Sequence, residues 1–311
     1  MRKFTILLTS LLLIGSATPQ SGPPDFLKQA KDFMGKGDYA HAIEAYSNAL
    51  RLDPRSDKLL YARGYAYYRN HDDDHAIQDY TEALKLNAAF GEAYRERAHA
   101  YEDKMDYEHA IQDYTEATRL LPGISDLRFR RAFTYERAGQ YGPAIADFTE
   151  NILRFPHAAD PYRNRGRLRL YAGDIPDAQQ DLSKAVELEP ANYYSVIWLY
   201  IARTRGTAAD TAAAELAKNA AKLNLAKWPG PVIQLFLGKT TSRAVLRAAS
   251  DKDRKTNSER QCEANFYIAE YQALRGQRSA ALQGFRLAQK SCPKNYFFYA
   301  PAAQAEMTSK H

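Results

Sequence analysis

The chain has 311 residues, of which 45% are hydrophobic, with 16 Gly, 14 Pro and a formal net charge of +6. So much apolar content with so few helix breakers excludes a disordered polymer, and the length suits two or three ordinary domains or one long repeat array. The mild positive charge does not call for a nucleic acid partner.

The first element in chain order reads as a leader. Arg2 and Lys3 supply a positive start, residues 4–14 are apolar but too short for a lasting transmembrane helix, and Gly15-Ser16-Ala17 offers small residues for cleavage after Ala17. Residues 1–17 are therefore expected to be a signal peptide, followed by a linker over 18–22. Its removal lowers the formal charge from +6 to +4. No Cys stands near the end of the apolar stretch to accept a lipid, and no later stretch is apolar enough to cross a membrane. An exported chain would rarely meet nucleic acid.

From Pro23 the same pattern returns every 34 residues. Ala76-Ile77-Gln78-Asp79-Tyr80-Thr81-Glu82-Ala83 recurs letter for letter at 110–117. The opening small residue is Ala42, Ala76, Ala110, Ala144 and Ala178; four residues on come Tyr46, Tyr80, Tyr114, Phe148 and Leu182; three further come Ala49, Ala83, Ala117, Asn151 and Ala185. Upstream in each row sits Ala30, Gly64, Ala98, Ala132 or Gly166, followed by Phe33, Tyr67, Tyr101 and Tyr135, with Arg169 departing in the fifth row. Pro54, Pro122, Pro156 and Pro190 close four rows. Small residues let two helices approach closely, aromatics fill the space between them, and Pro stops the second helix. Each row is thus a helix, a turn such as Gly37-Asp38 or Gly173-Asp174, and an antiparallel second helix.

This arrangement over 23–192 resembles the tetratricopeptide-repeat (TPR) signature, which implies an all-α solenoid, a right-handed superhelix of antiparallel helix pairs. Residues 193–261 keep the cadence without the letters and are expected to form two degenerate hairpins, from 193–205 with 209–224 and from 231–237 with 242–249. The spacing of Ala269, Ala281, Phe285, Ala288 and Pro293 restores the motif over 262–295, and 296–307 reads as a capping helix before the tail to residue 311.

Charged positions also keep the period. Arg63, Arg97, Arg131 and Arg165 recur every 34 residues, as do Asp79, Asp113, Asp147 and Asp181. In an antiparallel hairpin the two places face each other, so each Arg is expected to meet an Asp in its own row or a neighbouring one. The first row has Gln29 and Ala45 there and the row at 262 has Ile268 and Gly284, so both partners vanish together. The structural reading is preferred over an Arg stripe for anionic ligands. Cys262 and Cys292, the only cysteines, should open and close one hairpin, and antiparallel pairing brings those ends together; a disulfide is expected in an oxidising compartment.

Chemical motifs are weak. His71-Asp72-Asp73-Asp74-His75 falls on a turn, where acids cap the next helix; His41, His75 and His109 lie in successive rows, too far apart to share a metal ion. Gly238-Lys239-Thr240 lacks the Gly a phosphate loop needs, having Ile233 in its place. No catalytic set, metal site or cofactor site is expected, and the chain reads as a non-enzyme.

In stacked rows the first helices line a groove. Helical spacing places Lys58, Tyr61, Tyr65 and Tyr68 on that face, then Glu92, Arg95, His99 and Glu102, then Asp126, Phe129, Phe133 and Glu136, then Asp160, Arg163, Arg167 and Leu170. Aromatics and Arg dominate interface energetics, and Tyr61, Tyr65, Phe129 and Phe133 stand where packing within the row does not ask for rings, with Arg163 and Arg167 beside them. An extended peptide or partner helix is expected there. The TPR clamp for C-terminal carboxylates is not matched, since its places hold Lys28, Asp32, Arg95 and His99.

The C-terminal half resembles the bacterial periplasmic adaptor family of lipoprotein NlpI through Trp198-Leu199-Tyr200, Trp228-Pro229 leading to Leu235-Phe236-Leu237-Gly238, and Asn265-Phe266-Tyr267. The resemblance implies a homodimeric scaffold in a Gram-negative periplasm that brings a protease together with peptidoglycan hydrolases. The missing lipid-bearing Cys departs from the family. A chaperone or assembly factor for envelope proteins is the alternative expectation.

Overall fold

A computed structural model describes residues 25–206, 209–293 and Ala303. The expected signal peptide and linker lie outside the described residues. So does the expected capping helix, apart from Ala303, which is helical and buried. Among the described residues there are helices and no strands.

The helices pair in order. Rows one to five are α1 (Phe26–Lys36) with α2 (Tyr39–Leu52), α3 (Asp57–Arg69) with α4 (Asp73–Leu86), α5 (Gly91–Asp103) with α6 (Tyr107–Leu120), α7 (Asp126–Arg137) with α8 (Tyr141–Arg154), and α9 (Ala159–Tyr171) with α10 (Ile175–Leu188). Then come α11 (Tyr193–Arg205) with α12 (Ala209–Ala220), the short α13 (Gly230–Phe236) with α14 (Ser242–Ala248), and α15 (Arg254–Leu274) with α16 (Arg278–Ser291). Each helix packs on its row partner, and each second helix up to α14 packs on the first helix of the next row. The recurring small residues explain the fit. A Cβ added at Gly64 would come within 2.9 Å of the Tyr80 ring, and one at Gly166 within 2.8 Å of Leu182. Ala110 is fully buried, and enlarging it to Leu should overpack the row.

The turns inside the rows share one device. Gly37, His71, Met105, Gly139 and Gly173 all take a positive φ, of 74°, 61°, 60°, 73° and 83°. These places are 34 residues apart, and the left-handed region costs a residue with a Cβ about 1–2 kcal/mol. His71→Gly and Met105→Gly are each expected to stabilise the chain. The net gain is about 0.5–1 kcal/mol once the looser unfolded state is counted, read as a higher denaturant midpoint.

Just after the turn, Asp38, Asp72 and Asp106 cap the second helices by accepting from the N–H of His41, His75 and His109. Each histidine ring returns to its Asp at 2.8 Å and stacks on Phe33, Tyr67 or Tyr101 with centroids 5.0–5.2 Å apart. Its side-chain hydrogen bond with the His41 ring holds the Asp38 carboxyl below the usual carboxylate range. The acidic His71–His75 stretch is therefore a turn and a helix cap, with Asp74 reaching Lys104 of the next row at 2.5 Å.

The apolar core changes character along the chain. Small clusters sit between neighbouring helices in the first rows, for example Ala98, Tyr114, Ala117 and Leu127. From Leu170 onward the core merges into one body that reaches Ala303. Trp198 lies at its centre, 5.8–5.9 Å from the rings of Tyr171, Phe266 and Tyr267. The stretches around Trp198, Trp228 and Phe266 are thus parts of one junction, and Trp228 Nε1 donates to Glu263 at 2.6 Å. The short α13–α14 row explains it, because α11 can reach past that row to touch α15.

Cys262 and Cys292 are joined, with Cα atoms 4.8 Å apart. The placement of Cys262 needs correcting. It does not open a helix but lies inside α15, which starts at Arg254, while Cys292 caps α16. Thr256 N–H donates to Asp253, which extends the helix upstream of the repeat register. The bond closes a loop of separation 30, and its reduction should cost about 3 kcal/mol. Thermal unfolding with and without reductant checks this, and alkylation without reductant should label neither thiol.

Candidate functional site

The first helices of successive rows approach one another directly, α3 with α5 and α9 with α11. No comparable contact joins successive second helices among the described residues. Such a stack curves with its first helices on the inside, so α3, α5, α7 and α9 form the inner wall.

The ion-pair ladder runs along the stack. Arg63, Arg97, Arg131 and Arg165 each grip the Asp sixteen residues on, with Nε and Nη2 donating to both carboxylate oxygens at 2.6–2.8 Å. The partners are Asp79, Asp113, Asp147 and Asp181, each in the same row. The remaining Nη1 turns to the preceding row and donates to Ser47, Thr81, Thr115 and Thr149 at 2.9–3.2 Å. Those hydroxyls donate in turn to the carbonyls of Ile43, Ile77, Ile111 and Ile145. One guanidinium therefore ties three helices, and its fork geometry fixes the register of two rows. The hydroxyls were legible, since Ser/Thr recurs at 47, 81, 115 and 149. The departure at Arg169 also resolves: lacking a ring, the fifth row gives Asp181 a second guanidinium at 2.7 Å.

On the inner wall the expected groove residues divide. Lys58 is exposed and Tyr65 half-buried, its hydroxyl accepting from Arg69 at 3.2 Å. Tyr68 lies 6.5 Å from the His99 ring. Tyr61 packs on Tyr80 at 5.8 Å and on Phe90 at 4.9 Å. Burial, with the Glu96 charge adding to it, pushes the Tyr61 hydroxyl up to about 12. Phe129 and Phe133 meet edge to face at 4.8 Å, and each lies 5.5 Å from Phe148 of the second helix. Tyr61, Phe129 and Phe133 thus serve the packing of their own rows, contrary to the sequence expectation. The reason is that Phe148 and Phe90 leave space that only another ring fills.

The cations are more deeply engaged than their spacing suggested. Arg95 and His99 both hold Glu96, at 2.7 and 3.2 Å. Burial would raise the Glu96 carboxyl, but these two partners outweigh it and hold it below its usual range. Arg163 pairs with Asp160 at 2.6 Å. Arg167 is only 2% exposed and forks onto Glu136, itself 1% exposed, at 2.5 and 2.8 Å. It is a buried strut between α7 and α9, not an open groove cation. Glu102 accepts from Tyr114 and from Thr134 at 2.7 Å each. Sequence reasoning placed Glu102 and Glu136 on this face but missed that a buried polar chain would join rows through them. The inner wall therefore presents half-buried tyrosines and Lys58 at row two, the Glu96-bound Arg95 and His99 at row three and phenylalanines at row four, over a layer of fixed charges.

Family models match within residues 30–122: a TPR repeat over 30–70 and tetratricopeptide repeats over 57–89 and 91–122. Among solved structures, a tetratricopeptide repeat protein from Parabacteroides merdae is similar at 15% identity and TM-score 0.56, covering 91% of this chain and 97% of that one. The C-terminal part of a TPR repeat-containing protein from Cytophaga hutchinsonii is similar at 20% identity and TM-score 0.54, covering 90% and 99%. YrrB, described as a TPR protein with an unusual peptide-binding site, is similar at 16% identity and TM-score 0.52, covering 64% and 100%. At these identities the likeness is one of fold. The chain carries tetratricopeptide repeats and folds as an α-solenoid.

Proposed function

We propose that this chain is a non-enzymatic scaffold whose inner wall holds an extended peptide or a helix of a partner protein. The observation that carries the reading is the pair of half-buried rings Tyr65 and Tyr68 on α3, with the part-exposed faces of Tyr61 on α3 and of Phe129 and Phe133 on α7 left over from the packing of their own rows. Rings that keep part of their surface in water can bury it against a partner at little entropic cost. The unusual peptide-binding site named for YrrB shows that a repeat array of similar fold can take a peptide.

The export signal read at 1–17 and the likeness to the NlpI family extend this to a periplasmic adaptor. In that role it would bring a protease to clients such as peptidoglycan hydrolases, as a homodimer where the family resemblance holds.

A photo-crosslinker at Tyr65 tests the groove, with the same group at exposed Gln112 of α6 as the reference. Adducts are expected from Tyr65 alone in envelope extracts, and equal adducts from Gln112 would sink the reading. Replacing Tyr65 and Tyr68 together should lower capture at least about tenfold, as the loss of interface anchors does, while the helical content stays. A stable protease or hydrolase among the adducts supports the adaptor role. Many unrelated unfolded segments would support a chaperone instead.

A further inference from the structure

Charge is unevenly spread along the chain. Residues 25–204 carry 24 Lys and Arg against 29 Asp and Glu, whereas residues 205–293 carry 15 against 7. The acidic part cannot neutralise the basic one through solution, because charges more than about 8–10 Å apart are screened at physiological salt.

The fold gathers the excess at one end of the C-terminal rows. Antiparallel order brings the end of α12, the start of α13, the end of α14 and the start of α15 to the same edge. Contacts confirm the gathering. Trp228 of the α12–α13 connection donates to Glu263 of α15, Gln261 of α15 donates to the Leu246 carbonyl of α14, and the disulfide holds the end of α16 beside Cys262. That edge bears Lys222, Lys227, Arg247, Lys252, Arg254, Lys255 and Lys290, all exposed. The local acids are already partnered: half-buried Asp251 pairs with Arg260 at 2.7 Å, exposed Asp253 caps α15, and Glu263 is buried against Tyr194 and Trp228.

We propose that this edge adsorbs the chain to a bilayer carrying anionic lipid headgroups. Protein interfaces are rich in Arg and aromatics and poor in Lys, and nucleic-acid sites favour the Arg fork. Here five of the seven cations are Lys, and none of the seven is in an ion pair among the described residues. Lysines on the loops and helix ends of one edge suit a diffuse negative surface, where each cation adds to the attraction without a fitted partner. The inner wall lies on other helices, so a chain held this way keeps its groove free.

The test is sedimentation of the purified chain with vesicles of phosphatidylcholine alone or with about a third phosphatidylglycerol, at low and high salt. Binding is expected only to the anionic vesicles and should fall steeply with salt. The variant Lys222→Glu/Lys252→Glu/Lys255→Glu should bind at least about a hundredfold more weakly, since each exposed cation multiplies surface attraction several-fold. Lys31→Glu/Lys36→Glu, exposed on α1 in the acidic part of the chain and outside the groove, should bind like the parent. Thermal unfolding of each variant confirms the fold. Equal binding to neutral vesicles would assign the effect to the apolar leader instead. Unchanged binding of the triple variant, or retention on DNA or polyglutamate with no vesicle binding, would also overturn the proposal.

Discussion

Arg167→Met is expected to destabilise the chain by about 3–5 kcal/mol, the cost of leaving a buried carboxylate without its cation. Glu136 is 1% exposed and has no route to water that would replace the two hydrogen bonds it accepts. Adding Glu136→Gln should restore much of the loss, because a neutral amide in the same place carries a smaller burial penalty. Denaturant unfolding of the two single variants and the double measures it. A loss for Arg167→Met within about 1 kcal/mol of zero would show that the pair is open to solvent. Because the strut spans α7 and α9, the single variant should also loosen the stack there, seen as faster hydrogen exchange in both helices.

The second large effect concerns the ladder. Arg97→Met and Asp113→Asn are each expected to cost about 3 kcal/mol, and the double variant much less than their sum. The coupling arises because Arg97 and Asp113 share two hydrogen bonds at 2.8 Å. Arg97→Met with Asp79→Asn should be additive to within about 0.5 kcal/mol, since Asp79 is held by Arg63 of its own row. Thr81→Val removes the link to the preceding row and should cost about 1 kcal/mol. For Asp113, burial outweighs the pairing and leaves its carboxyl above the usual range. Taking both charges out of water offsets most of their attraction in such pairs, so the ladder acts mainly to fix register: each pair is costly to break but adds little over an apolar pair of the same shape. Additive losses for Arg97 with Asp113 would refute this account.

Most of the repeat architecture was open to sequence reasoning because it repeats. A turn that needs a left-handed residue, a cap, a small contact site and a guanidinium opposite a carboxylate all recur at one spacing, so each copy corroborates the others. The hydroxyls at Ser47, Thr81, Thr115 and Thr149 belonged to the same period and were overlooked only because their partner lies in the next row. The groove was less legible. Tyr61, Phe129 and Phe133 have helix positions that face inward, but whether a ring there waits for a ligand or fills its own row depends on the neighbouring Phe90 and Phe148. Arg167 shows the limit most clearly. Its partner is 31 residues away, off the repeat period, so no alignment of rows could pair them.

By itself the sequence determined the period, the helix pairs, the tight turns and the Arg–Asp register, since these follow from local conformational preference and from facing positions within one hairpin. Only the tertiary structure decided which inner-wall charges are buried, where α15 begins, and how the irregular rows after Leu170 fuse into one core. Those outcomes rest on contacts between unlike residues of different rows. Their distances are set by how closely successive first helices approach, and no single row's sequence encodes that.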